Sequence, residues 1–443
     1  MTEPTAKQRR RVLVATTVGA ALEWYDFTLF GIASATVLGP LFFPSANPVF
    51  SLLGALASYG VGLFARPFGS LIFGNMGDKL GRQRILVITL ILMSMSTFAI
   101  GCLPTYATIG VWAPAILVLA RILQGLGAGS EYAGATLLAF EYAPKNRRGL
   151  LAAIPATGNS LGILLASAVF GAVAFLPHDD FMDWGWRIPF LLSALLFAMG
   201  LYIRSRIDES PAFEQAKRER PVAARTGISE LIHNHRGPFL KAFLLNIGPN
   251  VTSYLPAVYG LAYMAATLHL SPSVGITIFA ISNVCLLVVQ PLAGLLADKI
   301  GGRRVFIGGA LLGAASAYPF FWFLATGQPI LILAGYLLLF VFAGGTIIGA
   351  QASLLANQFP TEVRYSGVAI SREIASGLVG GTLPLIATAL TSVVGGTWLI
   401  GLLSLALMLA SVLGAFLSKG TAWAEQGPVL RTQGACPPKC DIR

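Results

Sequence analysis

The 443-residue chain is 55% hydrophobic and only 11% charged, whereas soluble globular domains carry about 25% charged residues, so a water-exposed surface cannot be built from it. A mean hydropathy of +0.73 places most side chains in lipid or against other helices, and a soluble-domain size is no guide to its organisation. The net charge of +11 would suit a nucleic-acid partner if the basic residues were massed on one soluble face, but they punctuate apolar runs, which excludes that partner.

The run that follows Arg9, Arg10 and Arg11 continues past the apolar core of a signal peptide and carries Glu23 and Asp26, so it is read as a retained first helix. Twelve runs are long enough to cross a bilayer, near 14–37, 50–74, 85–103, 112–138, 150–176, 188–204, 239–267, 273–297, 305–325, 330–357, 365–391 and 396–418. Lipid offers backbone amides no partner, so each is predicted to be a helix. Gly125, Gly127 and Gly129 allow close helix contact within such a bundle. With the N-terminus in the cytoplasm, inner segments hold 26 of the 30 Lys and Arg and outer loops hold none; Arg66, Arg121, Arg187 and Arg372 lie in or at the ends of apolar runs. Both termini are therefore expected in the cytoplasm. The charged stretch after the sixth run divides the chain into a first six-helix bundle (1–206), a cytoplasmic linker (207–237), a second six-helix bundle (238–418) and a cytoplasmic tail (419–443). Cys102 and Cys285 lie in apolar runs, and Cys436 and Cys440 in the tail form no disulfide framework and read as an incidental polar tail rather than half a metal site.

The halves repeat. Gly74-Asn-Met-Gly-Asp78-Lys-Leu-Gly81-Arg82-Gln-Arg84 follows the second run, and Gly294-Leu-Leu-Ala-Asp298-Lys-Ile-Gly301-Gly302-Arg303-Arg304 follows the eighth. A second echo pairs Pro144-Lys-Asn-Arg147-Arg148-Gly149 with Pro360-Thr-Glu-Val-Arg364-Tyr-Ser-Gly367. The doubled Gly-x-x-x-Asp-Lys-x-Gly element resembles the loop signature of the major facilitator superfamily. That resemblance implies an all-α polytopic membrane protein with twelve transmembrane helices in two pseudo-symmetric six-helix bundles, and it implies that the loop is a cytoplasmic latch. Glycines let helices approach while the aspartate meets helix-end amides and arginines across the inter-bundle seam, a carboxylate at a positive helix terminus. The alternative is a solvated basic loop that only sets topology. Gly302 stands where the first copy has Arg82, so the second latch is expected to be weaker or to lean on Arg303 and Arg304.

Within that superfamily the chain is similar to the metabolite:proton symporters, the group of shikimate, 2-oxoglutarate, citrate and proline/betaine carriers. The likeness rests on Glu23-Trp24-Tyr25-Asp26-Phe27, Arg66-Pro67-Phe68-Gly69, Arg121-Ile-Leu-Gln124-Gly125 through Gly129-Ser-Glu131-Tyr132, Trp184-Gly185-Trp186-Arg187-Ile188-Pro189-Phe190 and Glu209-Ser-Pro-Ala-Phe213-Glu214. It implies proton-coupled uptake of a small metabolite across a bacterial inner membrane by a functional monomer, with no cofactor.

A charge in hydrocarbon costs at least about 2.5 kcal/mol and by default marks a pathway. At ~1.5 Å per residue, Glu23 and Asp26 lie roughly 14 and 18 Å from the cytoplasmic face, and Arg66, Arg121, Glu131 and Arg372 fall at similar depth. Glu23 and Asp26 are spaced i, i+3 and share a helix face, where two ionised carboxylates in a low dielectric repel, a condition suited to proton exchange. The other reading is a pair locked to Arg121 or Arg66. Glu131 is assigned either to proton carriage or to a pairing with Arg66 or Arg121. Arg187, beside Asp179, Asp180 and Asp183, reads as a structural cap at the outer edge.

In the second half Arg372 and Glu373 are the charges within a span, about 100° apart on the helix. The resemblance implies uncharged polar or aromatic side chains there, so the pair departs from the family pattern. Arg372 could receive a substrate carboxylate bidentately from the bundle opposite Arg121, or form a salt bridge. Asn246, Asn250 and Tyr254 recur at i, i+4, i+8 and line the same cavity or bond between helices. The candidate substrate set is thus Arg66, Arg121, Arg372, Glu373, Tyr25, Asn250 and Tyr254; the candidate proton set is Glu23, Asp26 and Glu131. His178, His233, His235 and His269 lie in loops without metal geometry, and no Gly-x-x-x-x-Gly-Lys phosphate motif is present. With neither a nucleophile beside a base nor a metal cluster, an enzyme is not expected. The expected solute is an organic acid; a zwitterion such as betaine or proline, and proton antiport for export, are the alternatives.

Overall fold

The computed structural model describes residues 5–45, 48–205, 209, 213–214, 231 and 233–418. Most of the expected linker, the expected tail and its Cys436 and Cys440 lie outside the described residues. Among those described there is no strand, and the helices form twelve long segments.

The first bundle holds six of them. They are α1 (Ala6–Ala33, running on through a π-helical turn Ser34–Leu38 into Gly39–Phe42), α2 (Pro48–Leu80) and α3 (Arg82–Cys102), followed by α4 (Trp112–Tyr142), α5 (Arg148–Val173) and α6 (Arg187–Arg204). The second holds α7 (Arg236–Tyr254, continued by a π-helical turn Leu255–Gly260 and Leu261–Ala266), α8 (Pro272–Ile300) and α9 (Gly302–Ala325). It is completed by α10 (Pro329–Ala356), α11 (Arg364–Ala375, continued by Ser376–Gly380 and Leu383–Val394) and α12 (Trp398–Leu417). Ten of these are long and apolar enough to cross a membrane alone, and bent α1 makes eleven. The remaining segment, α7, is diluted by Asn246, Asn250, Ser253 and two prolines; Pro256 supplies no N–H where the π-helical turn widens it.

Local chemistry sets the ends. At the start of α1 the Thr5 hydroxyl accepts from the Gln8 amide at 3.3 Å while the Thr5 amide donates to the Gln8 side chain at 2.9 Å, a capping box. The last glycine of each repeated loop motif breaks one helix from the next: Gly81 has φ 112° and Gly301 has φ 96°, a left-handed region that other residues rarely enter.

The two bundles meet along two pseudo-equivalent seams, α2 against α11 and α8 against α5. Within the first bundle α1 packs on α5 and α2 on α4, and within the second α9 and α7 pack on α12. A methyl group on Gly125 would fall 2.0 Å from the Gly62 carbonyl, and one on Gly129 would fall 2.1 Å from that of Arg66, so α4 lies against the backbone of α2. The outer surface carries Phe64, Phe68, Leu195, Val288, Trp322 and Leu385 exposed, an apolar belt suited to lipid.

Candidate functional site

The seams are tied at the end of the molecule where α2 and α8 finish. The Asp78 carboxylate accepts from the Tyr365 amide at 3.1 Å, the Ser366 amide at 2.9 Å and the Ser366 hydroxyl at 2.5 Å, capping the first turn of α11. The Asp298 carboxylate does the same for α5, accepting from the Gly149 amide at 2.6 Å and the Leu150 amide at 2.8 Å. Each motif aspartate thus serves as N-cap to a helix of the opposite bundle, where the helix dipole favours an anion. Gly74 and Gly77 keep α2 close enough for this: a methyl on Gly77 would meet the Tyr365 ring at 2.8 Å.

The basic residues of the two copies diverge. Arg82 is fully buried, donates to the Thr361 carbonyl of the second bundle at 2.9 Å, and faces Glu141 at 3.5 Å; Glu141 also takes Arg364 at 3.2 Å across the seam. Glu209 accepts from the Arg82 amide at 3.0 Å, and the Phe213 ring lies 4.8 Å from the Arg82 guanidinium. Arg84 is exposed. Of the two expectations for the second copy, the one in which Arg303 and Arg304 support Asp298 is not met. Both stay on their own bundle, Arg303 donating to the Phe416 carbonyl of α12 at 2.6 Å and Arg304 to the Ile300 carbonyl of α8 at 3.5 Å.

Deeper along the seam a cavity is lined from the first bundle by Trp24, Arg66, Tyr132 and Asn159, and from the second by residues including Asn246, Asn250, Tyr254, Gln351, Arg372 and Ser376. Four charges meet there, of which Arg66 and Arg372 line the cavity and Glu23 and Glu373 lie buried against them. Arg66 of α2 donates to Glu23 of α1 at 2.8 Å and to Glu373 of α11 at 2.9 and 3.4 Å. Glu373 also accepts from Arg372 at 2.8 Å. The adjacent Arg372 and Glu373 meet despite their angular offset because the long arginine side chain folds back, its guanidinium 3.7 Å from the centre of the Tyr132 ring. Glu23, Arg66 and Glu373 are buried, whereas the Arg372 side chain keeps 19% of its surface exposed. Along α7 the Asn246 and Asn250 amides donate back to the Ala242 and Asn246 carbonyls, both at 2.7 Å, and Gln351 donates to Asn246 at 2.6 Å. Cavity lining and interhelical bonding therefore coexist there.

Asp26 goes elsewhere than Glu23. It is 2% exposed, with Arg121 in Coulomb reach and, among the described residues, no ion pair; beside it Gln124 donates to the Thr97 hydroxyl at 2.8 Å. Arg121 does not reach the cavity wall. It donates to Gln124 and to the Tyr59 carbonyl, enclosed by the rings of Phe27, Phe30 and Tyr59, the nearest centred 4.0 Å away. Tyr25 is also turned away, donating to the Pro189 carbonyl at 2.7 Å, while its neighbour Trp24 faces the cavity. Glu131 pairs with neither Arg66 nor Arg121 but with Arg204 at the end of α6, which also donates to the Leu86 carbonyl. Arg187 caps the end of α3, donating to the Gly101 and Leu103 carbonyls at 2.9 and 2.7 Å, rather than the neighbouring aspartates. No cluster able to hold a metal ion occurs among the described residues.

Sequence reasoning left Trp24, Tyr132, Asn159, Gln351 and Ser376 out of the candidate cavity, and Glu141 and Arg204 out of the charge network. For Glu141 and Arg204 a signal existed, a charge within the last turn of an apolar helix.

Two pseudo-symmetric bundles of membrane-crossing helices around a charged, seam-lining cavity define a polytopic membrane carrier. The family model "Sugar (and other) transporter" matches residues 12–241, and "Major Facilitator Superfamily" matches residues 250–431. The chain is 36% identical to the shikimate transporter of Escherichia coli K12 over 391 residues, covering 88% of this chain and 89% of that protein. It is 38% identical to the proline/betaine transporter of Salmonella typhimurium LT2 over 387 residues, covering 85% and 77%. The structure of the proton:xylose symporter XylE bound to 6-bromo-6-deoxy-D-glucose superposes with a TM-score of 0.80 at 18% identity, covering 95% and 98%. The chain belongs to the major facilitator superfamily, alongside these metabolite carriers; it is a transporter and not an enzyme.

Proposed function

We propose that this transporter carries a small organic acid together with protons, in symport, by alternating access of its two bundles around the seam cavity. The observation that carries the reading is Arg372: a guanidinium in the bilayer core, held over the Tyr132 ring and still partly open to the cavity, is the natural anchor for a carboxylate. Arg66 supplies a second positive group on the facing bundle, and Asn250, Tyr254 and Gln351 supply neutral polar contacts. The proton site in this reading is Asp26, a buried carboxylate with no ion pair among the described residues, so it gains and loses a proton without breaking one. The relatives that carry shikimate, proline and betaine supply the analogy for the solute.

The end bearing the two aspartate caps is the basic end, which the charge distribution assigns to the cytoplasm with both termini. Asp78 and Asp298 then act as the cytoplasmic gate, closed in this conformation. The transporter works as a monomer in the bacterial inner membrane. A zwitterionic solute is the second reading, favoured by Trp24, Tyr132 and Tyr254 in the cavity wall, whose ring faces suit an ammonium group. Counterflow in proteoliposomes against shikimate, citrate, 2-oxoglutarate, betaine and proline separates the two. Exchange of the acids supports the first reading, and exchange of betaine or proline alone supports the second.

A further inference from the structure

Glu373 fills the positions that a solute carboxylate would need. Its Oε2 takes the Arg66 Nε and its Oε1 takes the Arg372 Nη1, at 2.9 and 2.8 Å, so one internal carboxylate occupies the arginines of both bundles at once. Glu23 occupies Arg66 Nη2 from α1 at 2.8 Å. Two acids and two arginines make this cluster, whose arginines line the cavity, neutral as it stands. The other titratable groups around it are Tyr132 from α4, Tyr254 from α7, and Glu131, which is in Coulomb reach of Glu23.

We infer that Glu373 is a built-in counter-anion of the solute-free carrier, which an arriving solute carboxylate displaces from Arg372 and Arg66 and which then takes up a proton that travels with the solute. The inference rests on the proposed role of Arg372 as solute anchor. With the solute bound, three carboxylates would face two arginines, leaving a net negative charge in hydrocarbon that is costly unless neutralised. One proton from the aqueous side open to the cavity, placed on the displaced Glu373 carboxylate, restores neutrality and leaves it a hydrogen-bond donor. No covalent bond other than that O–H is formed. The displacement also breaks the Arg66–Glu373 ion pair, which ties α2 to α11 across the seam, so binding and rocking are coupled through one residue.

The test measures binding of shikimate, citrate, 2-oxoglutarate, glycine betaine and proline to the purified full-length protein across a range of pH. Shikimate, citrate and 2-oxoglutarate bring carboxylate without a positive group, whereas betaine and proline bring an ammonium that offsets their own carboxylate, so the proton is demanded only by the acids. For an acid that binds, wild-type affinity should fall about tenfold per pH unit on the alkaline side. Glu373→Gln should bind the same probe with a flat profile, and at high pH at least about tenfold more tightly than wild type. Should that variant fail to fold, Glu373→Asp, whose shorter side chain holds the arginines less well, should bind more tightly while keeping the slope. A wild-type slope in Glu373→Gln, a slope lost in Glu23→Gln instead, or unchanged affinity in Glu373→Asp overturns the inference alone. Binding of none of the three acids overturns the organic-acid reading and the inference together.

Discussion

Asp78, near the end of the second helix, receives both the amide and the hydroxyl of Ser366, at 2.9 and 2.5 Å, and so provides from one bundle the N-terminal cap of a helix in the other. Charge-assisted hydrogen bonds contribute about 1.5–3 kcal/mol each. The Asp298 cap makes two such bonds and the Asp78 cap three. Asp78→Ala is therefore expected to open the capped end of the seam more than Asp298→Ala. Spin-label distances between the capped end of α2 and the start of α11 should lengthen in the first variant, and counterflow should slow by about tenfold or more, the equivalent of about 1.4 kcal/mol.

The other seam closes backbone to backbone. A methyl on Gly149 would stand 2.5 Å from the Gly294 carbonyl oxygen, and one on Gly294 would stand 2.7 Å from that of Gly149. Neither main chain can yield without separating the bundles. Gly149→Ala should hold α5 and α8 apart, shown by faster alkylation of a cysteine placed on the facing turn of α8 by a water-soluble reagent, with little loss of thermal stability.

Arg204 and Glu131 give a contrasting expectation, because both lie inside one bundle. Arg204→Ala leaves the Glu131 carboxylate buried without its cation, which costs about 3–5 kcal/mol. The melting temperature of the purified protein should drop clearly. The double variant Arg204→Leu with Glu131→Leu should recover much of it, since no charge then remains unpaired. A full recovery of transport as well would assign the pair to structure alone.

In the cavity, Arg372→Gln should weaken binding of a carboxylate solute by more than tenfold while leaving the fold intact, since its side chain is the least buried of the four charges. Tyr132→Ala, which removes the ring under the guanidinium, should weaken binding less, and Tyr132→Phe, which keeps the ring, least of all. Equilibrium binding on each variant checks the order.

How far these contacts could be foreseen depended on their reach along the chain. The paired caps follow from a local motif: a glycine free to take φ near 100°, an aspartate three residues before it, and a second copy at the matching place. The cost of charge in lipid singled out Glu23, Asp26, Arg66, Glu131 and Arg372 at one depth. It did not say which acid meets which arginine. Glu131 finds a partner 73 residues on, in Arg204, a side chain that a loop-charge count assigns to the water-facing end of α6. The direction of single side chains was equally hidden. Trp24 and Tyr25 point about 100° apart, and only the packing of α1 on its neighbours sends the tryptophan to the cavity and the tyrosine to Pro189. Arg121 and Arg66 sit at similar depth, yet Phe27, Phe30 and Tyr59 enclose the first.

Solute uptake into proteoliposomes with and without an inward-acid pH gradient, run on wild type and on Asp26→Asn, tests the central claim most directly. Wild type should accumulate a carboxylate solute only with the gradient, whereas Asp26→Asn should still exchange it in counterflow but accumulate it several-fold less, its remaining drive being the proton taken up at Glu373. Accumulation that is indifferent to the gradient, or that survives Asp26→Asn unchanged, would contradict the proton-coupled account.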